Sequence, residues 1–122
     1  MRIDGQLLYD LVIPESVSTI GEKKFYKSGI KTLTIGQSIT EIDNSSFAQC
    51  DSLKIVTLGK NIKTIGNCAF QGCRRISSLT IPNSVDSIEK DAFYGCNDLT
   101  KIVNYSDLTF SKGSSDFGYI AY

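Results

Sequence analysis

The sequence contains no histidine and no tryptophan. Without imidazole the chain lacks the commonest general base, the commonest zinc ligand and the catalytic triads built on histidine. It also lacks a net charge: thirteen basic residues are matched by thirteen acidic ones. A neutral chain gives no electrostatic reason to bind nucleic acid or to sit on an anionic membrane. No apolar run approaches the roughly 20 residues needed to cross a bilayer, so membrane insertion is not expected. The opening residues, Met1-Arg2-Ile3-Asp4-Gly5, hold no apolar signal core, and an export signal would have to lie outside this chain. What these absences leave is 122 residues, 41% hydrophobic and 21% charged. That is an ordinary soluble composition and enough chain for one domain with its own core.

What the sequence does have is an internal repeat. Phe25, Phe47, Phe70 and Phe93 are separated by 22, 23 and 23 residues. Every other apolar column keeps the same steps. Leu11-Val12-Ile13, Leu33-Thr34-Ile35, Val56-Thr57-Leu58 and Leu79-Thr80-Ile81 form one column, and Ile102-Val103-Asn104 begins a fifth copy. Three residues upstream stand Leu8, Ile30, Leu53, Ile76 and Leu99. Downstream come Val17, Ile39, Ile62 and Val85, then Ile20, Ile42, Ile65 and Ile88. Three copies end in cysteine, at Cys50, Cys73 and Cys96, whereas the first copy is one residue short and carries Ser28-Gly29 there. A fixed period of this length marks a stacked-repeat architecture.

Each part of the unit has a physical reading. An apolar pair with period two, such as Leu33 and Ile35 around an outward Thr34, predicts a short strand with one buried face. A lone strand cannot bury that face, but stacked copies pair in parallel about 4.8 Å apart, which gives a five-strand sheet roughly 20 Å long. Pro14, Gly36, Gly59 and Pro82 turn the chain out of the sheet. The Val-x-x-Ile pair then sends two side chains inward on the return arc. The polar segment ending in Ser46-Phe47, Ala69-Phe70 or Ala92-Phe93 has the length of a single helical or 3₁₀ turn, with the Phe filling the corner. Gly72 and Gly95 stand where that turn calls for a left-handed or tightly packed residue.

Stacking is also required energetically. Each unit offers about six large apolar side chains, at about 1.5–3 kcal/mol per fully buried residue. Ordering some 23 residues costs as much or more, so one repeat alone does not fold while several sharing interfaces do. The ends are the weak points. Residues 1–7 are expected to cap the first strand, residues 8–104 to form the repeats, and residues 105–122 to be a carboxyl-terminal cap or the start of a truncated region. Asn104 stands where the strand would place an inward aliphatic, and beyond it Tyr105, Phe110, Phe117, Tyr119 and Tyr122 leave the register.

The unit resembles the BspA-like (treponemal-type) leucine-rich repeat, Leu-x-x-Leu-x-Ile-Pro-x-x-Val-x-x-Ile-Gly-x-x-Ala-Phe-x-Gly-Cys. The match runs through Leu53, Ile65, Gly66, Ala69-Phe70 and Gly72-Cys73, and again through Pro82, Val85, Ile88, Ala92-Phe93 and Gly95-Cys96. It covers about residues 8–104. Asp43 and Glu89 depart from the pattern at its Gly, and the first unit lacks the Ala and the Cys. The resemblance implies a mostly β, α/β-type repeat fold: a right-handed leucine-rich-repeat solenoid with a parallel sheet on one face and short helical or 3₁₀ turns on the other. It implies a surface-associated or secreted protein, chiefly of a host-associated bacterium although such repeats also occur in some parasitic protists, acting in adhesion or protein–protein contact. A structural spacer or stalk fragment of a longer repeat protein is the alternative.

The cysteines fall into the register. Cys50, Cys73 and Cys96 are expected to stack as small buried thiols behind the Phe column. Disulfides between neighbouring rungs fit the strand spacing but demand a specific geometry, and a four-cysteine zinc site needs a convergence that a ladder resists. Cys68 stands alone in the polar turn and is the candidate reactive thiol, although no basic partner is evident. Asn44-Ser45-Ser46 and Asn104-Tyr105-Ser106 match the glycosylation acceptor pattern. The basic clusters Lys23-Lys24-Lys27 and Arg74-Arg75 read as solvated corners.

The outward strand columns carry the functional expectation. They are Asp10, Thr32, Ile55, Ser78 and Lys101, then Val12, Thr34, Thr57, Thr80 and Val103. β propensity alone selects threonine on a flat sheet. The functional reading is a shallow polar platform for a host or matrix protein or a glycan, with Thr32, Thr34, Ile55, Thr57, Ser78, Thr80 and Lys101 as the binding residues. The face offers none of the aromatic anchors that make binding hot spots. No polar cluster falls outside the register, so no catalytic residue, metal or cofactor is expected. The chain is expected to be a monomer or a weak end-to-end dimer.

Overall fold

The computed structural model describes residues 2–3, 6–7 and 9–108. In chain order the strands are β1 (Arg2–Ile3), β2 (Gln6–Leu7), β3 (Asp10–Ile13), β4 (Thr32–Ile35) and β5 (Glu41–Ile42). They continue with β6 (Ile55–Thr57), β7 (Thr64–Ile65), β8 (Ser78–Ile81), β9 (Ser87–Ile88) and β10 (Lys101–Asn104). Of the expected amino-terminal cap, only an antiparallel hairpin of β1 with β2 is described, and among the described residues these strands pair with each other alone. Of the expected carboxyl-terminal segment, residues 109–122 lie outside the described residues.

The period-two segments form the parallel strands expected of them. β3, β4 and β6 pair in register, so that Leu11, Leu33 and Val56 stand side by side facing inward. β8 pairs with β10 in the same way, aligning Leu79 with Ile102. The five strands do not make one ladder, however. β6 and β8 share no ladder hydrogen bonds, which divides the face into three strands plus two. The turn that feeds β8 is the looser one: Ile76 N–H reaches Cys73 O at 3.4 Å, against 3.1 Å for Leu53 to Cys50 and for Leu99 to Cys96.

The return arc holds a second parallel sheet. β5, β7 and β9 are two residues each and align Ile42, Ile65 and Ile88, all buried. Their brevity hides them from a periodicity reading, which registers only one inward side chain per copy at that column.

The Phe corner corrects the expectation of helical or 3₁₀ turns. Among the described residues there is no helix. Each corner is a train of β-turns: in the first copy Lys24 N–H bonds to Gly21 O at 3.1 Å, Tyr26 to Lys23 at 3.2 Å and Ser28 to Phe25 at 3.0 Å. The physical reason is a left-handed residue at fixed places in the train. Lys23, Lys27, Ser45, Gln49, Cys68 and Asp91 have φ between 58° and 60°, and Gly72 and Gly95 have φ of 74° and 82°. Such residues cannot continue a right-handed helix. Backbone groups that the turns leave over are used between copies instead. Lys23, Phe25 and Lys27 donate to Asn44, Ser46 and Ala48 of the next repeat, and the same three-bond set recurs at the two following interfaces. Buried corners of this kind need that supply, because an unpaired buried peptide group is costly.

Between the sheets and the corners lies the core. Phe25, Phe47, Phe70 and Phe93 form one continuous stack, with centroids 5.3, 5.5 and 5.6 Å apart and planes within 9° of parallel. Around it pack Leu33, Ile39, Leu53, Ile62, Ile76 and Ile81, all fully buried. Ser46 stands in the Ala column and is the buried polar residue among those described; its hydroxyl donates to Asp43 O at 2.6 Å.

Candidate functional site

The strands hold the outward columns in the predicted register. Asp10, Thr32 and Ile55 align, as do Val12, Thr34 and Thr57; Ser78 aligns with Lys101, and Thr80 with Val103. Thr34, Thr57, Ser78, Thr80 and Lys101 are exposed, and Ile55 is 60% exposed. Thr32 is half-buried, and its hydroxyl is engaged, donating to Asp10 Oδ1 at 2.6 Å. The break between β6 and β8 runs between Thr57 and Thr80, so the threonine column spans two hydrogen-bonded sheets rather than one.

Two residues at the margin of this face escaped the sequence reading. Lys31 places its Nζ 4.6 Å from the centre of the Tyr9 ring, and Tyr9 is 43% exposed. Tyr9 O also accepts both Lys31 N–H at 2.6 Å and Thr32 N–H at 3.1 Å. An aromatic anchor therefore borders the platform at its amino-terminal corner. The signal available was the spacing of Tyr9 and Lys31 by one repeat, 22 residues.

All four cysteines are free thiols. Cys50, Cys73 and Cys96 are buried and occupy equivalent places, each donating its thiol to the carbonyl of the preceding copy's Phe: Phe25 at 3.3 Å, Phe47 at 3.1 Å and Phe70 at 3.2 Å. The hydrogen bond with Cys50, followed by burial, holds the Cys73 thiol well above its ordinary value, and burial pushes Cys96 up to about 12. Cys68 is half-buried, donates to Asn67 Oδ1 at 2.8 Å, and is raised by burial and by the nearby Asp91 carboxylate. Both effects disfavour the thiolate, which works against its candidacy as a reactive group. Among the described residues, no group of three or more His, Cys, Asp or Glu side chains is placed to hold a metal ion. No helix among them is long and apolar enough to cross a membrane.

The stacked corners and parallel strands carry a known sequence signature. The family model for the BspA type leucine-rich repeat region matches residues 5–117 in six copies. The chain belongs to this family. Solved bacterial proteins, leucine-rich repeat proteins among them, resemble it in structure. A leucine-rich repeat protein from Bacteroides capillosus is 30% identical with a TM-score of 0.64, the match covering 76% of this chain and 62% of that one. A leucine-rich cell surface protein from Faecalibacterium prausnitzii is 25% identical with a TM-score of 0.64, covering 90% of this chain and 35% of the other. The pneumococcal vaccine antigen PcpA shares the fold, with a TM-score of 0.74 at 23% identity, over 79% of this chain and 24% of its own. The chain thus spans from about a quarter to about three fifths of the length of these proteins. No curated protein matches it.

Proposed function

We propose that the chain is a non-enzymatic binding module of a surface-associated or secreted bacterial leucine-rich repeat protein, acting through the outward strand face on a host or matrix protein or a glycan. The observation that carries this reading is the state of the threonine column. Thr34, Thr57 and Thr80 are exposed, and their hydroxyls have no hydrogen-bond partner among the described residues. The same column therefore offers both donors and acceptors at a regular spacing, beside the exposed Ile55 and the Tyr9–Lys31 corner. The description of one relative as a cell surface protein supports the setting. A glycan and extracellular-matrix array probed with the chain tests the proposal: saturable binding is expected, and Thr57→Lys with Thr80→Lys weakens it.

The spacer reading rests on a different observation. Between β3 and β10 the outward columns themselves contain no aromatic residue, and hot spots are concentrated in such anchors. An array and a pull-down from host extract that both yield no saturable partner would favour reach over recognition.

A further inference from the structure

Two residues after each Phe the chain leaves its corner, and in the last two full copies that place is glycine, Gly72 and Gly95. The two lie one on the other, so that a Cβ on Gly95 would stand 3.4 Å from Gly72 Cα. With no side chain on either, they form a bare floor on the edge of the solenoid between the corners and the strands. Gln71 and Tyr94, which precede the glycines, and Arg74 and Asn97, which follow them, line the recess above it. The Gln49 carboxamide closes one end, its Nε2 2.6 Å from where a Cβ on Gly72 would lie. This recess has a volume of about 180 Å³. A second recess of about 490 Å³ shares Arg74 and Asn97 with it and adds Asp51, Arg75 and Asp98. The two therefore make one groove.

The groups around this groove suit a sugar. Tyr94 is 50% exposed, and an aromatic face beside a flat floor can pack against the C–H face of a pyranose ring. Gln49, Gln71 and Asn97 each carry a donor and an acceptor at fixed separation, and Arg74 carries a fork of donors, which matches pairs of neighbouring hydroxyls. None of these four side chains makes a hydrogen bond to another described residue. Charge narrows the ligand further. Arg74 and Arg75 are balanced by Asp51 and Asp98, and none of the four is ion-paired among the described residues. A phosphate or a nucleic acid calls for one sign to prevail, whereas a neutral polyol uses donors and acceptors together. We infer that this edge is a binding groove for a neutral saccharide, with Tyr94 as its stacking platform and Gln71, Arg74 and Asn97 as its hydrogen-bonding groups. The groove shares no residue with the outward strand columns, so it stands whether or not that face has a ligand.

The test is an amide NMR titration of the full chain with neutral trisaccharides (maltotriose, cellotriose, mannotriose and chitotriose), and with sialyllactose as the anionic comparison. At least one neutral sugar should shift the backbone amides of Gly72 and Gly95 and the side-chain amides of Gln71 and Asn97. The shifts should saturate with a Kd on the order of 1 mM, since a shallow groove contacts few ligand atoms. Tyr94→Ala and Arg74→Ala, both at exposed positions, should each weaken that sugar by about fivefold or more while keeping the parent's circular dichroism. Should either variant not fold, the shift map of the parent chain decides alone. Four results overturn the proposal. One is the absence of saturable shifts with any neutral sugar, and another is undiminished binding by both folded variants. A third is a set of shifts confined to the strand columns around Thr57 and Thr80, which credits the strand face and sinks the groove. The last is groove binding by sialyllactose alone, displaced by inorganic phosphate, which makes the groove an anion site.

Discussion

A Cβ on Gly59 would lie 2.5 Å from the carbonyl oxygen of Gly36, its counterpart one repeat earlier, and 2.9 Å from that of Ile35. The obstacle is backbone, part of the ladder that holds the copies together, so it cannot swing aside as a side-chain tip could. Gly59→Ala is therefore expected to destabilise the chain by about 1–3 kcal/mol, the usual cost of overpacking a closed site. Gly21 provides the contrast, since nothing lies within 4 Å of its Cβ position. Gly21→Ala should stay within about 0.5 kcal/mol of the parent. Denaturant unfolding of both variants checks the pair, and equal effects would contradict this account of the close approach.

The left-handed corner residues lead to a prediction of opposite sign. Lys27, Gln49, Gly72 and Gly95 occupy the same place, two residues after each Phe, and all four have positive φ. Glycine holds that conformation without strain, while other residues pay about 1–2 kcal/mol for it. Lys27 is exposed, and what replacing it sacrifices is the contact of its Nζ with the Tyr26 ring, 5.4 Å from the centroid. Lys27→Gly should raise stability by some tenths of a kcal/mol up to about 1 kcal/mol, the gain being reduced by the extra freedom of the unfolded chain. An unchanged or lower midpoint in urea would count against the strain.

These two residue sets also mark what could be read from sequence. The Phe, Ile and Leu columns dictated the strand register, the buried face and the stack, because burial leaves a period that survives in composition. Gly72 and Gly95 announced a left-handed residue at two corners. Lys23, Ser45 and Cys68 adopt the same backbone region without announcing it, each donating its N–H to the neighbouring copy, and Asp91 adopts it at the last corner without such a bond among the described residues. From its residues alone the turn train therefore resembles a short helix. The interruption between β6 and β8 was equally silent, because Val56 and Leu79 satisfy the inward pattern whether or not their backbones are bonded. For the candidate face, spacing placed the outward columns correctly. It could not reveal that Asp10 engages the Thr32 hydroxyl or that Lys31 folds back over Tyr9.

Two of the three buried thiols, Cys73 and Cys96, make stability sensitive to alkali, whereas the hydrogen bond with Cys73 shifts Cys50 downward. Burial raises Cys96 to about 12, and Cys73 is shifted in the same direction. An unfolded thiol ionises near 8.5 while the folded one keeps its proton, so between these values the folded state binds more protons and loses ground as pH rises. The stabilising contribution is complete below about pH 8.5 and declines toward pH 12, by at most about 1.4 kcal/mol per pH unit for each thiol. Unfolding free energies measured from pH 7.5 to 11 should fall along this slope, and Cys96→Ala should make the fall shallower. A thiol reagent at pH 8 should modify Cys68 first and reach the other three only on unfolding. Uniform reactivity of all four thiols in the native chain would remove the basis for the buried ladder.

The strand face is best tested by a change that the fold can ignore. Thr57 and Thr80 are exposed and stand on opposite sides of the gap between β6 and β8. Lysine at both positions can extend into solvent, so the double variant should keep the parent's circular dichroism and unfold within about 1 kcal/mol of it, the cost coming from lower β propensity. Recognition is a different matter. Two ammonium groups would stand over hydroxyls that a partner must approach closely, and their desolvation against a neutral surface is unfavourable. Whatever saturable ligand the array identifies should therefore bind the variant at least tenfold more weakly, equivalent to about 1.4 kcal/mol. Tyr9→Ala should weaken the same ligand if the contact reaches the amino-terminal corner, and should leave it untouched if the contact is centred on Ile55. Undiminished binding by the lysine variant, with its fold intact, would move the site off the strand face altogether.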